Sequence, residues 1–324
     1  MLMNIPATAT MPEQNDLLLV NRAVCSGIPG ARIQYMTLSN LYETNSFVLS
    51  FELYPPKNES GREDLSENLR KLLTFNPQYV TCTYGAGGST REGTLSTLAL
   101  VRELSDVPVA SHLTCVGSTV EELREYLAGA LEQGIDYIVA IRGDAPKGED
   151  TFKATDGGLN YASDLVQLIR AEFPRFGIVV GGYPETHPEA TSADRDLDYL
   201  KQKVDTGADV VTTQLFFDND DFFRFRDRCV ATGINVPIVP GLLPVTSYPQ
   251  IKRITTMCGA TLPEKLARSL QVYDNDPGGQ YRVGVDHARR QASELVKAGV
   301  PGIHFYVLNQ SKATTTVLHG LPLS

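Results

Sequence analysis

The chain has 324 residues, 42% of them hydrophobic and 21% charged, with a net charge of −9. That is enough apolar material for one large α/β barrel or two ordinary domains. The acidic balance argues against a general nucleic-acid binder, although a local cluster of donors can still hold a phosphate.

Cys25, Cys82, Cys115, Cys229 and Cys258 are scattered and show no CxxC spacing. They suit neither a disulfide framework nor a zinc site, so a reducing compartment, the cytoplasm, is expected. No apolar run reaches transmembrane length. The N-terminus shows no basic segment leading into a hydrophobic run, and Glu13 and Asp16 argue against a transit peptide.

Residues 1–45 carry no sustained pattern and read as a surface extension, with a short helix start at Leu17–Val20. From 46 to 324 a single domain is expected. β-rich runs recur at Phe47–Phe51, Tyr79–Tyr84, Val107–Leu113, Tyr137–Ile141, Ile178–Tyr183, Val210–Phe216, Ile238–Leu242 and Gly302–Val307. Stretches with helical spacing separate them. In Val120-Leu123-Leu127-Ala130-Leu131 the apolar positions recur at three and four residues, Ser118 and Thr119 offer N-caps, and Gly134 offers a stop. Leu197-Leu200-Val204 ends similarly at Gly207. Two helices, Ser247–Met257 and Pro263–Leu270, and then a loop over Asp274–Gly279 fill the stretch before the last strand. Strands alternating with helices predict a parallel sheet, and eight of them fit a closed (β/α)8 TIM barrel better than an open sheet.

Barrel geometry places catalytic groups where strands end. Those ends read Glu52, Thr83-Tyr84-Gly85-Ala86, His112, Arg142-Gly143-Asp144, Tyr183-Pro184-Glu185-Thr186-His187, Gln214, Gly241-Leu242-Leu243-Pro244 and Tyr306. Glu52 sits in "SFELYPPK" between Phe51, Leu53 and Tyr54. A carboxylate there is costly unless it is paired, hydrogen-bonded or used, and the plain alternative is a solvated strand-end acid. "GAGGST" (85–90) could approach a phosphate, or could be a simple strand-to-helix turn. In "PETHPEA" (184–190) one His and two acids at spacing two make poor zinc geometry, so no metal is expected. "RGD" (142–144) reads as an ion pair in a turn. No GxSxG or Cys–His nucleophile stands out.

Together, "FELYPPK", "VTCTYGAGGSTREGT", "HLTC", "IRGD", "YASDLV", "GYPETHPEA", "LKQKVDTGAD", "TTQLFFDNDDFFRFRDRC", "PIVPGLLPV" and "HFYVLN" resemble, in content and order, the 5,10-methylenetetrahydrofolate reductase family of the bacterial, catalytic-domain type. The resemblance runs from about Phe47 to Leu308. It implies a (β/α)8 barrel with FAD at the strand ends and a ping-pong cycle. NADH, or NADPH, reduces the flavin, and the folate is then reduced to its 5-methyl form. It further implies a homo-oligomer and, with no C-terminal regulatory domain expected, no control by S-adenosylmethionine.

Residue by residue, the resemblance implies Glu52 as the general acid and Asp144 as the fixed anion favouring an N5-iminium cation. Gln214 is implied as a folate contact. A carboxyl pKa raised by desolvation is the expectation for Glu52. For FAD the implied residues are Thr83, Tyr84, Ala86, His112, Arg142, Gly143, Asp144, Tyr161, Ala162, Tyr183, His187, Ala190, Asp196, Tyr199, Gln202 and Lys203. Arg142 and Lys203 would meet the diphosphate and Asp196 a ribose hydroxyl. Tyr161 and Ala162 could instead cap a helix, and His187 could only brace its loop. Tyr199 stands where relatives commonly carry Asn, and Gln202 where they commonly carry Arg, which suggests looser FAD binding. Leu270, in place of a stacking Phe, and Tyr306 and Gln310, the latter in place of an Arg, are implied substrate contacts. The alternatives are a flavin-independent or methyl-oxidising relative, and a folate-binding barrel without catalysis.

Overall fold

The computed structural model describes residues 37–84, 91–145, 148 and 151–321. Its parallel strands are β1 (Val48–Leu53), β2 (Tyr79–Cys82), β3 (Val109–Thr114), β4 (Tyr137–Ile141), β5 (Gly177–Gly182), β6 (Val210–Thr213), β7 (Ile238–Val239), β8 (Gly241–Leu242) and β9 (Gly302–Tyr306). The helices are α1 (Leu38–Thr44), α2 (Glu59–Leu73), α3 (Arg91–Leu104), α4 (Val120–Glu132), α5 (Ala162–Glu172), α6 (Ala193–Asp205), α7 (Asn219–Ala231), α8 (Tyr248–Cys258), α9 (Glu264–Gln271), α10 (Pro277–Lys297) and α11 (Lys312–Leu318).

The strand order β7-β6-β5-β4-β3-β2-β1-β9-β8 is that of a (β/α)8 barrel whose seventh strand is split. Pro240, lacking an N–H, interrupts the Ile238–Leu242 run. The first half pairs with β6 through Val211↔Ile238 and Thr212↔Val239. The second pairs with β9 through Gly241↔His304 and Leu242↔Phe305, so the change of partner closes the ring.

Strand parity divides the core. On β1, Leu49, Phe51 and Leu53 join the large cluster under the helices. Val48 faces inward with Tyr79, Ala110, Tyr137, Val139, Val179, Val210 and Val239. Helix α1 belongs to this inner cluster, because Leu38 and Leu41 are buried in it. At Gly177, the first residue of β5, an added Cβ would lie 2.6 Å from Leu38 Cβ, so α1 stoppers the N-terminal end of the barrel. Residues 38–44 are therefore not the surface extension that the sequence suggested. A seven-residue helix with two buried leucines gives too short a pattern to read.

Local signals were followed closely at α4, where Thr119 and Glu122 form a capping box and Gly134 adopts φ 75° after the helix. The expected loop at Asp274–Gly279 is shorter, because α10 begins at Pro277. Proline suits a first helical position, where the missing N–H would have had no partner anyway.

Candidate active site

Glu52 lies on β1 with 19% of its side chain exposed. Its Oε2 is 3.2 Å from His112 Nε2 on β3 and 3.7 Å from His304 Nε2 on β9. Behind His304, Ser50 Oγ lies 2.8 Å from Nδ1. If the serine hydroxyl donates to Nδ1, the imidazole proton sits on Nε2 and faces the carboxylate. Burial pushes the Glu52 carboxyl up, but the two imidazoles together outweigh it and hold it at about 2. The raised carboxyl pKa expected from sequence is thus corrected. A hydrophobic flank alone would raise it, but side chains from two other strands reverse the sign. In the free chain Glu52 is therefore ionised, with both imidazoles facing its carboxylate.

Tyr306, at the end of β9, donates its hydroxyl to Thr213 O at 2.7 Å. Burial raises its pKa, and the nearby Glu52 and Tyr183 add to the effect. Tyr183 is pushed up to about 12, first by burial and then by Asp144. Glu52, near the end of β1, and the exposed Asp144, just after β4, both lie at the C-terminal end of the barrel strands.

A second group of residues surrounds the loops after β4 and β5. Arg142 pairs with Glu189 at 2.7 Å and lies over the Phe152 ring. The ion pair with Asp144 expected from "RGD" gives way to this one. Gly143 takes φ 89°, and a Cβ there would come within 2.7 Å of Val116 Cγ1, so the tight turn needs glycine. His187 Nδ1 accepts the Glu189 N–H at 3.0 Å, which leaves the Nε2–H as the outward donor of a neutral ring. Burial lowers its pKa, and Arg142 and Lys203 add to this against Asp196 and Glu189. The ring also packs edge-on to Tyr183. Asp196 accepts the His187 N–H at 2.9 Å.

Asp196, Tyr199 and Lys203 share one face of α6, being three and seven positions apart. Lys203 donates to Gly181 O at 2.6 Å, and burial lowers its pKa to about 8 against the pull of Asp196. Tyr199 lies exposed beneath the Arg195 guanidinium, and Gln202 is exposed. Thr114 Oγ1, at the end of β3, is buried without a hydrogen-bond partner among the described residues. Two cations, a neutral imidazole donor and a spare buried hydroxyl fit an elongated anionic group.

The remaining predicted positions are placed as follows. Thr83 is half-buried after β2, whereas the Tyr84 ring is buried edge-on to Tyr126, leaving mainly its backbone to meet a ligand. Ala86, the rest of "GAGGST", and Leu17–Val20 lie outside the described residues. Tyr161 is the N-cap of α5 and is 59% exposed, and Ala162 begins that helix. Ala190 is half-buried, with its N–H donated to His187 O. Gln214 Oε1 accepts the Leu215 N–H at 2.9 Å, leaving its NH2 without a partner among the described residues. Leu270 is corrected: it is 0% exposed and packs with Leu215, Leu243, Ile251 and Leu266 in a satellite core. Gln310 is exposed after β9. In "PETHPEA", Glu185 accepts the Thr261 N–H while Glu189 takes Arg142, so the acids serve separate partners. Among the described residues no group of His, Cys, Asp and Glu is arranged to hold a metal ion.

Sequence reasoning missed His304, Ser50 and Asn309. Inward parity on β1 and β9 was the available signal for the first two, but it names no partner without the register Ser50↔His304. Asn309 clamps the loop after Glu52: its Oδ1 accepts the Tyr54 N–H at 3.0 Å and its Nδ2 donates to Tyr54 O at 2.8 Å. It does so at φ 56°, a left-handed conformation that asparagine tolerates well. Asn309→Ala is expected to cost about 1–3 kcal/mol, through two orphaned backbone groups and the unfavourable φ. Asn309→Gly keeps the conformation and should recover part of that loss. Thermal melts of the two variants check this.

The family model for methylenetetrahydrofolate reductase matches residues 37–322. The chain belongs to the methylenetetrahydrofolate reductase family. It is 40% identical over 275 residues to the 5,10-methylenetetrahydrofolate reductase of Pectobacterium carotovorum subsp. carotovorum, covering 84% of this chain and 89% of that one. The corresponding Escherichia coli (strain K12) protein is 38% identical over 84% of this chain and 90% of its own. Methylenetetrahydrofolate reductase (NADH) 1 of Arabidopsis thaliana is 37% identical over 88% of this chain but only 50% of the plant protein. A Clostridium thermocellum structure, described as binding two copies of 5-methyl-5,6,7,8-tetrahydrofolic acid, superimposes with a TM-score of 0.61. It is 15% identical and covers 86% of this chain and 96% of its own, a likeness of fold. The curated relatives are named as reductases, and the strand-end positions singled out in the sequence lie at the barrel face where enzymes of this fold work. No described helix is long and apolar enough to cross a membrane.

Proposed function

We propose that the chain reduces 5,10-methylenetetrahydrofolate to 5-methyltetrahydrofolate with NADH or NADPH, through FAD and by a ping-pong cycle. The observation that carries this reading is a sheltered carboxylate between two imidazoles, on the same face as a cationic cradle. Arg142 and Lys203 would hold the diphosphate of FAD, and Asp196 a ribose hydroxyl. The His187 Nε2–H and the Thr114 hydroxyl would add neutral donors. The chemistry FAD supplies when bound is two-electron hydride carriage. Gln202, exposed on α6, brings no charge to that cradle. Against a guanidinium this forgoes about 1.5–3 kcal/mol of charge-assisted contact.

The folate's N5–CH2–N10 bridge is a poor hydride acceptor until a proton reaches N10 and the ring opens to the N5-iminium cation. The group formed by Glu52, His112 and His304 holds and delivers that proton to N10. The Asp144 carboxylate sets a fixed negative charge on the same face, which favours the cation. The free Gln214 NH2 is available to a carbonyl or ring nitrogen of the pterin.

Purified protein is expected to be yellow, to bleach when NADH is added without oxygen, and to recolour on adding methylenetetrahydrofolate. Colourless protein that still turns over would instead favour the flavin-independent reading.

A further inference from the structure

Resting on the FAD reading above, we propose that Glu189 is a positioning residue for the flavin's diphosphate. It holds the Arg142 guanidinium by one nitrogen and so sets the edge that Arg142 presents to the anion.

A guanidinium is a planar fork of five N–H donors on a flexible stem. Unheld at a strand end, it would turn freely and lose that freedom on binding. Arg142 is held on three sides instead. Its Nε–H donates to Gly143 O at 3.2 Å, and its plane lies over the Phe152 ring, 4.9 Å from the centroid. Its Nη1 forms the ion pair with Glu189 Oε2 at 2.7 Å. Phe152 sets the tilt of the plane, and Gly143 is the next residue in the chain. Glu189 is the contact that reaches Arg142 from a different strand's loop. Nη2 and its two donors have no partner among the described residues. Arg142 and Lys203 both act on the His187 imidazole, so the two cations border one cradle. As a source of stability the pair is weak, because both side chains reach water and such pairs contribute little. What it does is fix a direction.

Glu189 can do this because its loop is itself fixed. Thr186 takes φ 96°, which costs a β-branched residue energy and persists only where the surroundings impose it. Glu185 accepts the Thr261 N–H at 3.0 Å, and Pro188 closes on Gly259, where an added Cβ would lie 2.6 Å from Pro188 Cγ. His187 donates its N–H to Asp196 on α6, and Glu189 donates its own to His187 Nδ1. The carboxylate is thus carried by a backbone anchored to α6 and to the link between α8 and α9. Its negative charge also repels a diphosphate. Glu189 is half-exposed, so water and salt screen that repulsion, whereas the guanidinium acts at contact distance.

The test titrates FAD into the flavin-free full chain, with Glu189→Gln, Arg142→Ala and the double variant. Glu189→Gln should bind FAD about two- to tenfold more weakly, the usual cost of immobilising one long side chain. In the Arg142→Ala background the same change should alter affinity less than about twofold, because Glu189 acts through Arg142. Should Arg142→Ala not fold, Arg142→Lys supplies the background, since it keeps the charge and lacks the fork. A second readout needs no flavin. With arginine-selective 15N labelling, the Arg142 Nη signals should be resolved in the wild type and averaged by faster rotation in Glu189→Gln. Unchanged or tighter FAD binding in Glu189→Gln would overturn the assignment, as would an equal loss in both backgrounds, which indicates the loop alone. Arg142 signals identical in wild type and Glu189→Gln would overturn it too. A wild-type chain that takes up no FAD would instead overturn the proposed function, which the variants by themselves do not touch.

Discussion

Glu52→Gln is expected to slow the folate half-reaction by about 10²–10⁴-fold, the usual share of a positioned acid. Flavin reduction by NADH should stay near the wild-type rate, since that step needs no proton at N10. Gln fills the same space but cannot pass a proton from the imidazoles to the substrate. Stopped-flow traces of the two half-reactions separate these outcomes. Equal loss in both would place Glu52 in cofactor binding instead. Stability also responds to pH. The Glu52 carboxyl is held down from 4.5 to about 2, so its contribution is present above the ordinary carboxyl range. It is lost as pH falls towards 2, and an acid titration of Glu52→Gln should lack that component.

Gly241→Ala should be the most damaging single methyl near the site. An added Cβ would lie 2.3 Å from Thr213 O and 2.7 Å from the Tyr306 ring. Three strands meet there: Gly241 N–H donates to Thr213 Oγ1, and the Tyr306 hydroxyl donates to Thr213 O. Neither the backbone oxygen nor the closing strand can yield without opening the barrel seam. A cost of about 1–3 kcal/mol or more follows from overpacking alone. Tyr306 should also leave its place beside Glu52, so folate turnover should fall along with the melting temperature. Gly129→Ala is the control. It lies within α4 with nothing within 4 Å of the added methyl. Removing glycine from a helix interior should stabilise the chain by about 0.5–1 kcal/mol. Calorimetric melts of both variants, with folate turnover at 25 °C, check the pair.

Much of this fold could be read along the chain because its signals are local. The run Tyr137–Ile141 became β4 without change. Thr119 with Glu122, and Gly134 after them, bounded α4 through hydrogen bonds that span only three or four residues. The ends of strands also announced the polar ring of Glu52, His112, Arg142, Asp144 and Gln214, because a parallel barrel brings all such ends to one face.

The closure of the barrel decided the rest. His304 and Ser50 are 254 positions apart, and only register across β1 and β9 makes them neighbours. That register sets the acidity of Glu52, since two imidazoles from distant strands reverse what its apolar flank would do. The burial of Leu270 and the stoppering by Leu38 and Leu41 depend on which faces meet, which periodicity alone does not specify. Caps and alternation are interactions between near neighbours in the chain, so composition and spacing determine them. The proton chemistry arises from contacts between strands far apart in sequence, so it exists only once the sheet has closed.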